Sequence, residues 1–471
     1  YLESALVVPA EPAEELDLRV LARRAAGAGG LFQPALTHAE RVVALATELG
    51  MDGMRRRALA RLANFLLEGQ QQRARELVTD ALAEPGLQPG DEGYIELATI
   101  AAKTEMRTLN DTRAVEIADR ALPHAQQAGN ERVIVDLLVT RAVSLANLRR
   151  TTEALVILTG ALDIATRNGM DEEANRAAVN LGYTLAPDDP MVAVEVSKRS
   201  LDYAIRVGNV WGIRYLLGNA VDSAIEIGDW DWALETTDEH AQLFTEPFER
   251  LWFGTFRNVI GAYRGEDVEA EARRLYEESL AFDDHQFQGM GRYGLIIVKL
   301  LQGDVPTLIE LVEEDIRTLI GGLDGPVHGA RAAIWKGDAD LARHMIDGFS
   351  HAPPGRRNET LRTVMEAGVA ALEGRRAEAR ALYTDAQRTF RELQLPLWLA
   401  FTDLDILITG SLEPDERQRA ADEAREIFTR LRADALLQRL DAALEVDAAR
   451  HPAPPAAAQP AEAPLGRGSS A

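Results

Sequence analysis

The 471-residue sequence contains no cysteine, which excludes structural disulfides, thiolate metal sites and thiol nucleophiles. Aromatic residues are also scarce, at 6 % of the chain, whereas alanine, leucine, glutamate and arginine dominate. This composition favours helix over sheet. The absence of cysteine fits a reducing compartment, and we expect a cytoplasmic protein.

The sequence has no long apolar run and little positive charge. No run reaches the roughly 18–20 residues that span a membrane, and no signal peptide opens the chain. Lysine and arginine together number 51 against 75 acidic residues, so the formal net charge is −24. Proteins that grip a phosphate backbone usually present about 6–10 basic contacts on one face. We therefore expect neither nucleic acid nor a membrane as a partner.

The sequence also lacks the motifs of common nucleotide and zinc sites. Neither the phosphate-binding pattern G-x-x-x-x-G-K-[ST] nor the zinc motif H-E-x-x-H occurs. The eight histidines are scattered, and the best metal candidate is the run DDHQ at 283–286. That run stands beside a predicted helix start, where an N-cap explains it better than a metal site. We expect no catalytic residue, no metal and no cofactor.

A repeat of nearly constant length organises the chain. A small residue opens every second predicted helix at intervals of 39 or 40 residues: Ala35, Ala74, Ala114, Ala154, Ala193 and Ala233. Further on, a turn glycine before a charged stretch recurs every 34–38 residues. Two amphipathic helices per unit at this period are typical of a helical solenoid. The sequence therefore predicts an all-α superhelix of about eleven helix pairs between Leu16 and Ala448.

The chain is predicted to have four parts. Residues 1–14 are expected to be a linker from a missing upstream region, 15–240 an N-terminal sub-array and 241–449 a C-terminal sub-array. Residues 450–471 are rich in proline and alanine and lack the apolar content to fold, which predicts a disordered tail. Within the arrays, each turn glycine is predicted to end a first helix, and the aspartate after it to cap the second.

Four polar residues recur in the first helices at intervals of 39, namely Arg141, Asn180, Asn219 and Asn258. In an array of this period, equal spacing can line side chains along one concave groove. Asparagine amides there would offer a donor and an acceptor to an extended peptide. The alternative is that the asparagines support adjacent turns. A one-residue drift against the alanine period rotates a helical side chain by about 100° and favours this alternative.

The aromatic residues concentrate between 203 and 293, with arginines among them. Two pairs stand four residues apart, so the members of each pair share a helix face. The residues of interest are Trp211, Arg214, Tyr215, Trp252, Phe256 and Arg257. Aromatic faces with arginines can form a ligand pocket on the concave side. Such residues more often pack a core where a superhelix changes curvature, and both interpretations stay open.

The repeats resemble tetratricopeptide repeats of the long type, with ANRAAVNLGYTL at 174–185 close to their usual first helix. The closing segment EAREIFTRLRADALLQRLDAAL, 423–444, is similar to the end of large bacterial signalling proteins. Those proteins join a class III nucleotide cyclase domain, an AAA-type ATPase module and a long repeat array. Maltose-regulator-like transcription factors have similar arrays that end in a helix-turn-helix domain. The Pro/Ala-rich end of this chain disfavours that branch.

The resemblance implies a tetratricopeptide-like sensor or scaffold that is not itself catalytic. It would bind a partner protein, a peptide or a small ligand in the concave groove. It would also regulate an ATPase module, or a nucleotide cyclase, upstream in the same polypeptide. The alternative is a free-standing adaptor that controls no enzyme. An enzyme in its own right is disfavoured because the family's catalytic motifs have no counterpart here.

Overall fold

The computed structural model describes residues 11–67, 70–91, 93–282, 284–318, 324–410 and 413–450. Within these ranges the chain forms 23 α-helices, two short 3-10 helices and no β-strand. The prediction of an all-α helical-repeat solenoid is therefore confirmed. The predictions for residues 1–10 and 451–471 lie outside the described residues.

The helices alternate between the first and the second helix of each pair. The first helices are α1 (Pro12–Ala28), α3 (Asp52–Leu66), α5 (Tyr94–Arg107), α7 (Glu131–Asn147), α9 (Asp171–Leu185), α11 (Val210–Ile227), α13 (Pro247–Tyr263), α15 (His285–Gln302), α17 (Gly325–Lys336), α19 (Arg356–Leu372) and α21 (Pro396–Thr409). The second helices are α2 (Phe32–Glu48), α4 (Gln71–Leu82), α6 (Asp111–Gln127), α8 (Thr151–Arg167), α10 (Pro190–Val207), α12 (Trp230–Glu239), α14 (Glu269–Ser279), α16 (Val305–Thr318), α18 (Ala339–Gly348), α20 (Arg376–Glu392) and α22 (Pro414–Leu431). A last helix, α23 (Asp434–Arg450), follows these eleven pairs.

The alanines that mark the repeat are buried near the start of the second helices. They lie on α2, α4, α6, α8, α10 and α12, and each is at most 1 % exposed: Ala35, Ala74, Ala114, Ala154, Ala193 and Ala233. A methyl group lets two helices approach closely, whereas a larger side chain would force them apart. The small residue recurs because every pair in this part of the array packs in the same way.

The turn between helices depends on glycine, while the cap after it varies. Gly228 and Gly337 end first helices with a φ of 81°, a left-handed conformation that favours glycine. Asp338 then caps α18, since its carboxylate accepts from the Leu341 amide at 3.0 Å. The same cap was predicted at Asp229 and is absent there. Its carboxylate instead accepts a hydrogen bond from Lys198 at 2.8 Å.

Successive turns of the superhelix touch each other. Both Gln71 and Arg107 donate to the Asp284 carboxylate at 2.6 Å, across 213 and 177 residues respectively. The loop before α10 meets the start of α19, where the backbone N–H of Asn358 donates to the Pro187 carbonyl at 3.2 Å. Contacts at this separation bring together repeats that lie about five units apart in the chain.

The predicted boundary at residue 240 falls between α12 and the 3-10 helix Ala241–Leu243. The largest hydrophobic cluster extends from Ala178 to Ala443 and so includes helices on both sides of this point. Division into two sub-arrays stays a prediction. In the part of the chain that the structure describes, no helix is both long and apolar enough to cross a membrane.

Candidate functional site

A row of polar side chains crosses four consecutive first helices, α3, α5, α7 and α9. Lys103 Nζ donates to Asn64 Oδ1 at 3.1 Å and lies 3.1 Å from Asp136 Oδ2. Arg176 Nη1 donates to Asp136 Oδ1 at 2.6 Å and to its backbone carbonyl at 2.8 Å. The inner polar row consists of these four residues, Asn64, Lys103, Asp136 and Arg176.

The inner polar row lies on a surface that first helices from different repeats share, called the inner surface. The charge of Arg61 on α3 reaches Asp136 on α7, past the intervening first helix α5. In the same way, the carboxylate of Glu172 on α9 acts on Arg23 of α1 and on Lys103 of α5. First helices so far apart in the chain come this close only when their side chains share an inner surface.

The opposite charges of the inner polar row stabilise one another in their ionised forms. Burial alone would raise the pKa of Asp136, but the charges of Arg176 and Lys103 outweigh it and lower that pKa to about 2. Burial lowers the pKa of Lys103, and the Asp136 carboxylate opposes this shift. Asp136 is therefore ionised at neutral pH and fixes two cations on neighbouring helices.

The inner surface becomes acidic further along the array. Asp222 and Glu226 lie one turn apart on α11, and the Asp324 carboxylate acts on both. Crowding by surrounding protein raises the pKa of Asp222 to about 7, with repulsion from the other two carboxylates adding to it. The charges of Asp222 and of Asp111, at the start of α6, both reach Tyr183 of α9, which is 50 % exposed. One surface thus carries a basic part and an acidic part.

The four residues of the predicted ladder make four different contacts. Arg141 donates to Asp119 of the preceding second helix at 2.6 Å. The Asn180 amide donates to the Arg176 carbonyl within its own helix, whereas the Asn219 amide reaches the Val179 carbonyl on α9, both at 2.8 Å. Asn258 is 4 % exposed, and its Nδ2 has no hydrogen-bond partner in the described part of the chain. Joint binding by the four stays a prediction.

The predicted aromatic residues do come together, between α11 and α13. Ring centroids lie 4.7 Å apart for Trp211 and Tyr215, 5.5 Å for Tyr215 and Trp252, and 6.4 Å for Trp252 and Phe256. Phe256 is 2 % exposed, and the other three are half-buried. This aromatic group packs one first helix against the next, and a ligand-binding role for it stays a prediction.

The two arginines predicted beside the aromatic group differ in environment. Arg214 is buried, where its Nε lies 2.6 Å from a Glu249 oxygen and its Nη2 donates to the Leu243 carbonyl at 2.7 Å. Burial outweighs the charge of Arg214 and raises the pKa of Glu249 to about 7. Arg257 is exposed and pairs with Asp238. Arg214 therefore holds the α12–α13 connection, and Arg257 lies at the protein surface.

Sequence reasoning missed the inner polar row, although a signal for it exists. Asn64 and Lys103 are 39 residues apart, and Asp136 and Arg176 are 40 apart, which matches the period of the repeat. The signal is a polar or charged residue that recurs at the repeat period in first helices whose other buried residues are apolar.

The metal candidate at 283–286 has a structural explanation. Asp284 is the N-cap of α15 and accepts from the Gln286 amide at 2.9 Å, as the N-cap interpretation predicted. Asp283 lies outside the described residues. Over the described ranges, no three histidine or acidic side chains stand where they could hold a metal ion.

No protein-family model matches the chain, and a search of curated proteins finds no relative. Among solved structures, the chain is similar to the APC/C hetero-tetramer Cut9–Hcn1, with 14 % identity over 96 % of both chains and a TM-score of 0.46. It is also similar to a Rap protein complexed with competence and sporulation factor, with 13 % identity over 88 % of this chain and 99 % of that one, and a TM-score of 0.40. At this level the likeness concerns the fold alone.

Proposed function

We propose that this chain is a non-catalytic, tetratricopeptide-like scaffold that binds a protein segment, a peptide or a small ligand on its inner surface. The observation that carries the proposal is the inner polar row, in which polar side chains from four first helices, three of them charged, share one surface. The three charged groups pair with one another, and their side chains remain 12–20 % exposed, so they form part of a surface. Such a surface suits an extended polar partner.

We further propose that binding regulates an ATPase module or a nucleotide cyclase in the same polypeptide. A ligand that spans several first helices would favour one curvature of the superhelix over others. Curvature is shared by every repeat, so the change would reach the end of the array where an attached module sits. The resemblance of the closing segment 423–444 to signalling ATPases supports this part of the proposal.

The binding function is tested by a screen of synthetic peptides against the 471-residue chain, followed by titration of the peptides that bind. Tyr183→Ala removes a half-exposed ring from the inner surface, and Val156→Ala removes an apolar side chain that is 69 % exposed on α8. We expect Tyr183→Ala to weaken binding several-fold and Val156→Ala to leave it unchanged. If only Val156→Ala weakened peptide binding, the binding surface would lie on the second helices instead.

Regulation requires a second experiment, in a polypeptide that joins this chain to an ATPase module. A bound peptide should change the rate of ATP hydrolysis, and Tyr183→Ala should reduce that change. Binding without any effect on the rate would favour the free-standing adaptor. The 471-residue chain alone should neither hydrolyse ATP nor form cyclic nucleotides, and turnover by it would overturn the non-catalytic assignment.

A further inference from the structure

At the start of the array, Arg61 of α3 lies near enough to Arg23 of α1 for its charge to act on that guanidinium. Gly27 of α1 faces Phe65 of α3, and a Cβ added to this glycine would lie 3.5 Å from the phenylalanine ring. Residues four apart share a helix face, so Arg23 and Arg61, one turn before this contact, are neighbours. Lys103, a member of the inner polar row, lies on the next first helix, α5. Three cations therefore lie on three consecutive first helices.

Within the described residues, Lys103 is the one of these three cations that forms an ion pair, although the more distant Glu172 carboxylate also acts on Arg23. Lys103 lies 3.1 Å from Asp136, whereas neither Arg23 nor Arg61 has an ion pair or a hydrogen bond within the described residues. Arg61 is exposed and Arg23 is half-buried. Burial, followed by repulsion from Arg61 and Arg24, lowers the pKa of Arg23 to about 10. Like charges that crowd a partly buried site are relieved when an anion binds between them.

We propose that a short acidic segment of a partner protein binds this surface, with a carboxylate placed between Arg23 and Arg61. The inference rests on the proposed function, because it names the chemistry of the segment that the inner surface would bind. A guanidinium presents parallel N–H donors that match the two oxygens of a carboxylate. Two arginines side by side can hold one carboxylate from both sides, or two successive acidic residues.

The rest of the molecule limits the length of the acidic run. From α11 onward the inner surface carries three carboxylates, Asp222, Glu226 and Asp324, against the cation Arg357, which leaves a net negative charge there. The formal net charge of −24 likewise opposes long polyanions such as nucleic acid. A short acidic run followed by neutral residues satisfies both limits. The bound segment would therefore be acidic at one end only.

The test uses the whole 471-residue chain and three synthetic peptides that differ only in one terminal run, which is glutamate, glutamine or lysine. The glutamate peptide should bind most tightly, and its affinity should fall as salt is added. Arg23→Gln and Arg61→Gln should each weaken it about tenfold, the scale of a lost charge-assisted hydrogen bond. Neither change should lower the melting temperature, because within the described residues neither arginine has an ion pair or a hydrogen bond to lose. Arg376→Gln, at the exposed start of α20, is the matched control and should change nothing.

Two results would overturn the acidic preference while leaving the proposed function intact. One is equal affinity for the glutamate and glutamine peptides, with Tyr183→Ala weakening both. The other is no binding of these peptides although the broader screen yields inner-surface binders. A third result would overturn the acidic-segment proposal outright. In it, an oligonucleotide or an anionic lipid vesicle binds through Arg61 and the glutamate peptide does not bind. Failure of every peptide in the screen would remove the proposed function itself.

Discussion

Arg357 joins two turns of the superhelix by donating hydrogen bonds to both carboxylate oxygens of Glu226, which precedes it by 131 residues, at 2.9 and 2.7 Å. Its Nη2 also donates to Asp324 at 2.8 Å, and Trp398 Nε1 donates to Glu226 at 2.9 Å. One guanidinium thus balances two carboxylates from helices far apart in the chain. Without it, the two carboxylates would face each other in a largely buried site.

Replacing this guanidinium should destabilise the fold strongly. We expect Arg357→Met to lower the free energy of unfolding by about 3–5 kcal/mol, the cost of leaving buried charges unpaired. The adjacent Arg356 pairs with Glu392 at an exposed site, so Arg356→Met should cost less than about 1 kcal/mol. Urea denaturation of both variants measures the difference. Equal effects would show that the Arg357 contacts do not hold the turns together.

Asp222 should make stability depend on pH. Its pKa is about 7 in the folded chain and near 4 in an unfolded one, so the folded state binds the extra proton between these values. Stability from this group is present below about pH 4 and is lost as pH rises toward 7. Asp222→Asn should therefore stabilise the chain by about 1 kcal/mol at pH 8, after a discount for the exposure of the side chain. At pH 4 Asp222→Asn should leave the free energy of unfolding unchanged. Denaturation at pH 4 and pH 8 measures both values, and an equal gain at the two would contradict the prediction.

The repeat alanines should not tolerate larger side chains. Ala154 is fully buried where α8 meets its neighbours, so Ala154→Leu should cost about 1–3 kcal/mol through overpacking. Val156 lies two residues further on the same helix and is 69 % exposed, which makes Val156→Leu the control. Thermal denaturation of the pair provides the measurement. A leucine accepted at 154 without loss would mean that the helices are not in close contact there.

Asn219 should matter for stability, and Asn180 less so. The Asn219 amide ties α11 to the Val179 carbonyl of α9, so Asn219→Ala should cost about 0.5–1.5 kcal/mol. The Asn180 amide bonds only to a carbonyl of its own helix, and Asn180→Ala should cost less. Melting temperatures test this order, and titration with a peptide tests binding separately. Weaker binding by folded Asn219→Ala at an unchanged melting temperature would favour the groove hypothesis instead.

The helical solenoid could be predicted because its causes are local and repeated. The period of the alanines, from Ala35 to Ala233, shows where helices approach, and the glycine turns show where they end. Individual side-chain partners could not be read in this way. Asn180 and Asn219 occupy the same place in the period, yet one bonds within its helix and the other between helices. A small rotation of the helix decides between these outcomes, and spacing alone does not fix it.

The contacts between turns were beyond sequence reasoning for a different reason. Whether Gln71 meets Asp284, or Glu226 meets Arg357, depends on the curvature summed over about five repeats. Each repeat contributes a small angle, and these angles add up over the repeats that separate the two partners. The inner polar row is easier to predict than the contacts between turns, because its members are on neighbouring first helices. A search for polar residues at the repeat period finds the pairs Asn64–Lys103 and Asp136–Arg176, but not the 33-residue step from Lys103 to Asp136 that joins them.

Contact between successive turns changes how such an array should unfold. A repeat protein whose units touch only their neighbours can lose its ends one unit at a time. Here Asp284 depends on Gln71 and Arg107, and Arg357 depends on Glu226, so loss of the first repeats removes partners from the later ones. The chain is therefore expected to melt in one cooperative transition, and fragments shorter than a full turn should not hold their native structure.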